Sequence, residues 1–84
     1  MPATGNRELY GLLQKNAVLK KGGYSLAFDR DGRIIIDRAG HVHGIWNRDR
    51  QCFAWLSPGN SEPKFRTDDT NAAVLYTVAA LSQD

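Results

Sequence analysis

The stretch "GHVHGIWNRDRQCFAW", Gly40 to Trp55, decides how this chain is read. It holds both tryptophans, both histidines, the only cysteine and two of the seven arginines. Ala39-Gly40 at its start and "NRDR" within it are turn signals. Between and after them, His41 to Trp46 and Gln51 to Leu56 read as two antiparallel strands. With Arg48-Asp49 as the turn, Trp46 pairs with Gln51, Ile45 with Cys52, Gly44 with Phe53 and Val42 with Trp55. Successive strand side chains point to opposite faces. One face then carries Val42, Trp46, Phe53 and Trp55. The other carries His41, His43, Ile45, Cys52, Ala54 and Leu56.

Working outward, "YSLAFDRDGRIIID" supplies two more strands. Tyr24, Leu26 and Phe28 alternate with Ser25 and Ala27, Asp31-Gly32 is a tight turn, and the β-branched run to Asp37 follows. A two-residue turn at Ala39-Gly40 places Ile35 on the aromatic face and Ile34 and Ile36 on the aliphatic one. Before these strands, Asn6 and Glu8 suit a helix start, and Leu9, Leu12, Leu13 and Ala17 recur at helical spacing, with Asn16 interrupting. Lys20, Lys21 and the Gly22-Gly23 pair end that helix, Arg7 to Lys20. After the loop "SPGNSEP", Lys64 to Arg66 reads as a short extended piece. Thr67 then reads as the cap of a second helix reaching about Leu81, with Ala72, Leu75, Tyr76 and Ala79 as its stripe. The order is helix, four-stranded antiparallel meander, helix packed on one sheet face: an α+β fold.

Two helices on one side of a sheet cover only one of its faces. The flat aliphatic face suits helix packing. That choice predicts Leu9, Leu12, Leu13, Ile34, Ile36, Leu75 and Val78 as core, and leaves Trp46 and Trp55 on an open face.

The 84 residues predict one domain, 1–84, with a modest core. A single cysteine makes no internal disulfide. With no apolar run near ~18 residues, no membrane span is expected. "MPATGNRELY" has no apolar signal core, so a cytoplasmic setting is expected. A net charge of +2 is weak for a dedicated nucleic-acid binder.

Several motifs suggest chemistry. His41, His43 and Cys52 share a face, as in a zinc site or a Cys-His pair, but a fourth ligand and an oxyanion hole are both missing. "FDRDGRI" resembles part of a calcium loop, yet Ala27 and Arg38 stand where it needs carboxylates. No phosphate loop, serine-histidine-acid set or paired-carboxylate cleft appears. The expectation is no enzyme, no cofactor and no metal. Arginines are more informative. In an up-down meander the first and third turns share one end of the sheet. Arg30, Arg33, Arg48 and Arg50 therefore gather there among Asp29, Asp31 and Asp49, a charge pattern that serves protein hot spots and phosphate contacts alike.

The order of elements resembles the double-stranded RNA-binding domain, but Asp68 and Asp69 stand where that family presents lysines. Phe65-x-Thr67, Ala72-Ala73, Tyr76 and Ala79-Ala80 resemble the helix of plant-type AP2 DNA-binding domains, without the arginines of that family's reading strands. Neither resemblance reaches the residues that would bind nucleic acid, and the chain is assigned to neither family.

The expected function is a small non-enzymatic protein-binding module that presents a sheet face, with Trp46 and Trp55, or the arginine tips to a macromolecular partner. Chains of this size without motifs are frequent among phage and mobile-element accessory proteins and inhibitors. The alternative is a nucleic-acid-binding domain that stacks bases on the aromatic face and holds phosphates with the tip arginines. Self-association through the uncovered face is a third.

Overall fold

The computed structural model describes residues 5–49 and 51–82, with side chains from residue 6 onward except that of Asp49. It is an α+β fold. Helices α1 (Gly5–Lys15) and α2 (Ala17–Lys21) precede strands β1 (Ser25–Phe28), β2 (Ile34–Arg38), β3 (His41–Asp49), β4 (Cys52–Leu56) and β5 (Phe65–Thr67), and helix α3 (Thr70–Ser82) follows. The strands form one antiparallel meander in the order β1-β2-β3-β4-β5. The sheet thus has five strands, not four. The short extended piece after the proline loop pairs with β4, Phe65 opposite Trp55.

The expected single N-terminal helix is two. Asn16 sits between them in extended backbone, φ −71° and ψ 125°, and its side chain accepts hydrogen bonds from the N–H groups of Val18 and Leu19. An asparagine offers the backbone an alternative to helix continuation, and here that alternative restarts the helix as an N-cap. Gly23, at φ +78°, takes the left-handed position beyond α2, and Tyr24 N–H returns to the Leu19 carbonyl.

Two registers depart from the sequence reading, with different consequences. Between β3 and β4, Trp46 pairs with Trp55, four residues further along β4 than Gln51. The strand stays extended through Asp49, with Arg48 opposite Phe53 and its guanidinium 5.1 Å from that ring's centre. Four is even, so the grouping of Trp46, Phe53 and Trp55 on one face survives. Between β2 and β3, the register shifts after Asp37↔Val42, so that Ile36 faces Gly44 and Ile34 faces Trp46. His43 is the extra residue of a β-bulge. One is odd, so Ile34 and Ile36 join the tryptophans and Ile35 moves to the other face beside Ile45.

The helices cover the aromatic face, the reverse of the expectation. Leu9, Leu13, Leu19, Ala73 and Leu81 close over Ile34, Ile36, Trp46, Phe53 and Trp55. Each large aromatic ring removes ~150–250 Å² from water, so covering that face buries more apolar area than the aliphatic one offers. Trp46 and Trp55 are therefore core residues, 0% and 3% exposed, and not an open surface. Gly44 makes room for this: the Trp55 ring lies where a Cβ on Gly44 would stand. Of the predicted core, Leu9, Leu13, Ile34 and Ile36 are buried, whereas Leu12 lies at the surface and Leu75 is 71% exposed. Val78 is half-buried.

Helix α3 buries Ala73, Thr77 and Leu81. Its first turn is capped by Asp69, whose side chain accepts from Asn71 N–H and whose carbonyl accepts from Ala73 N–H. Thr67 was the expected cap. It ends β5 instead, and its hydroxyl accepts from Asp69 N–H, shaping the turn into the helix.

Candidate binding groove and the hairpin-tip arginines

The β-bulge has a second effect. It brings Val42 and His43 together to one wall of a groove of about 490 Å³ at the end of the sheet. His43 meets the Tyr24 ring edge-on, 5.5 Å between centroids. Trp55 and the turn residues Ser57 and Pro58 line the floor. Lys64, whose backbone N–H donates to the Trp55 carbonyl, stands at one side. Tyr76, Ala79 and Ala80 of α3 form the opposite wall. Tyr76 is held flat against Phe65, with ring centres 4.2 Å apart and planes within 3°. The volume is within the ~300–1,000 Å³ usual for small-molecule sites.

The polar groups along this groove can donate, and His43, Ser57 and Tyr76 can also accept. Among the described lining residues Lys64 carries the fixed positive charge, His43 an imidazole, Tyr76 and Ser57 hydroxyls, and none is aspartate or glutamate. Among the described residues, neither the Tyr76 hydroxyl nor the Trp55 indole N–H makes a hydrogen bond, and Lys64 makes no ion pair.

The arginines behave differently from one another. The Asp29–Arg33 loop connects β1 to β2, and Phe28 pairs with Ile34 rather than with Ile35, where a two-residue Asp31-Gly32 turn would place it. Asp29 organises it: one carboxylate oxygen accepts from the N–H groups of Asp31 and Arg33, and the other takes Arg33 Nε at 2.6 Å. Arg33 is thereby committed to the loop. Desolvation pushes the Asp29 pKa up, but these hydrogen bonds and the Arg33 charge outweigh it and hold the carboxyl below its ordinary range. Arg48 lies half-buried over Phe53. Arg30 is exposed. Arg50 lies outside the described residues.

The remaining constellations separate. Cys52 pairs with Asp49, six residues along β3 from His43, which is about 20 Å at strand rise. Among the described residues no group of three histidine, cysteine or acidic side chains is placed to hold a metal ion. No described helix is long and apolar enough to cross a membrane.

Sequence reasoning missed the groove. The bulge that forms it leaves no mark in the composition and is visible only once Gly44 is known to face Ile36.

No family model, curated protein or solved structure matches this chain.

Proposed function

We propose that this chain is a small non-enzymatic protein-binding module whose contact surface centres on the outward side of α3. The observation that carries the reading is Leu75, 71% exposed on a helix with no charged residue from Thr70 to Ser82. A single exposed leucine is ordinary. A surface helix with no charged residue on its solvent side is not, since that side usually carries lysine and glutamate. Around Leu75 the outward side holds Asn71, Ala79 and Ser82, flanked by Ala72 and Val78. Exposed apolar surface of this kind tends to mark interaction sites.

The nucleic-acid alternative required Trp46 and Trp55 as stacking platforms, and both lie beneath the helices. Among the described tip arginines Arg30 is exposed, and Arg33 is tied to Asp29.

The test is affinity capture from the cells that make the protein, using wild type and Leu75→Gln side by side. Leu75→Gln should melt within a few degrees of wild type, as surface changes do. A protein retained by wild type in both low and high salt and lost with Leu75→Gln supports the reading. Identical captured sets, or capture of nucleic acid that falls steeply with salt, would overturn it.

A further inference from the structure

We propose that the groove between the bulged end of β3 and α3 is a binding site for a carboxylate attached to an apolar body. The site does not depend on a protein docking at Leu75. Three features of the groove point to this ligand class.

The first is donor excess. The Trp55 indole N–H makes no hydrogen bond among the described residues and is not sealed from solvent. A donor open to solvent can be taken over by a ligand acceptor. The Tyr76 hydroxyl has no partner among the described residues either. The second feature is charge. Lys64 lines the groove and makes no ion pair among the described residues, and no described aspartate or glutamate lines the groove with it. An anion is the complement. The third is apolar surface: Val42, Pro58, Ala79 and Ala80 offer nothing to a polar ligand and much to a hydrocarbon.

A carboxylate fits better than a phosphate. Phosphate sites favour arginine forks or clustered backbone N–H groups. Here one lysine faces one formal charge. The apolar carboxylate has two sources, a free acid or the C-terminus of a peptide ending in an apolar residue.

Amide-resolved NMR titration distinguishes them. The probes are 3-phenylpropionate, its primary amide, and Gly-Gly-Phe with a free or amidated C-terminus. The acids should shift the amide signals of Val42, His43 and Ala79 and the Trp55 indole signal, saturably. The matching amides should bind about tenfold more weakly, the size of a lost charge-assisted hydrogen bond. Lys64→Gln should weaken the acids to a similar degree without changing the melting temperature, since Lys64 is exposed. Leu75→Gln should leave them unchanged, which separates this site from the docking surface. Tighter binding of the tripeptide than of the free acid supports a peptide terminus, and the reverse supports a free acid. Equal binding of acid and amide, shifts centred outside the groove, absence of saturable shifts at millimolar probe, or full binding by Lys64→Gln would each overturn the proposal.

Discussion

The Trp46 indole N–H donates to the Thr77 hydroxyl at 2.7 Å, joining two fully buried side chains 31 residues apart. The hydroxyl in turn donates to the Ala73 carbonyl at 2.7 Å, one turn back in α3. This pair sets the rotation of the helix. With no charged residue from Thr70 to Ser82, α3 has no strong amphipathic stripe to fix which side faces the sheet, and the buried Thr77 supplies a polar anchor. Thr77→Val keeps the volume and removes the acceptor. It leaves the Trp46 N–H buried and unpaired, at a cost of about 1–3 kcal/mol. Urea denaturation should show this loss for Thr77→Val and almost none for Leu75→Gln on the same helix. Equal effects would mean that the hydrogen bond does not hold α3 in place.

Gly44 should be the least replaceable glycine. A Cβ there falls on the ring of Trp55, a 3% exposed side chain with Trp46 5.2 Å away. Interiors packed this densely do not absorb a methyl group by sliding a ring. Gly44→Ala should cost about 3 kcal/mol or more, a large part of the ~4–13 kcal/mol expected of so small a domain. Adding Trp55→Leu should cost less in the Gly44→Ala background than in wild type, because the smaller side chain vacates the clash. Thermal melts of the two single variants and the double variant measure that coupling, and simple additivity would refute it.

The same two residues show what the sequence could and could not disclose. Alternation placed Trp46, Phe53 and Trp55 on one face, and a register error of four residues could not separate them because the pleat repeats every two. The bulge at His43 carries no composition signal, and its single extra residue moved Ile34 and Ile36 across the sheet. Which face the helices would cover then followed wrongly. Leu75 failed for a related reason. In α3 no charged residue marks the solvent side, so a leucine-centred stripe was the natural reading, and the buried side is centred on Thr77. The groove between Val42 and Tyr76 depends on both of these choices at once.

Helix starts offer a third test, because the expected cap and the observed one differ. Asp69 bonds the Asn71 N–H through its side chain, whereas Thr67 bonds only the N–H of Asp69 before the helix begins. Asp69→Ala should cost on the order of 1 kcal/mol, and Asn16→Ala at the start of α2 a similar amount. Thr67→Ala should cost less than Asp69→Ala. Chemical denaturation that ranked Thr67 above Asp69 would return the cap to Thr67 and shift the start of α3.

The last expectation concerns acid. Asp29 accepts from Asp31 N–H, Arg33 N–H and Arg33 Nε. Desolvation works against its charge, and the hydrogen bonds and the guanidinium together win, so its folded pKa lies below the ordinary value. The native state therefore favours the ionised form. That contribution is complete above the unfolded pKa of about 3.9 and disappears as pH falls through the lower folded value. Asp29→Asn removes the charge while keeping an oxygen that accepts the backbone N–H groups. Its melting temperature should fall below that of wild type near pH 7, and the gap should close as the pH drops to about 2. A gap of the same size at both ends would assign the loop's order to the backbone hydrogen bonds alone. No gap at either end would mean that the Arg33 pair, 38% exposed on the arginine side, is screened out by solvent.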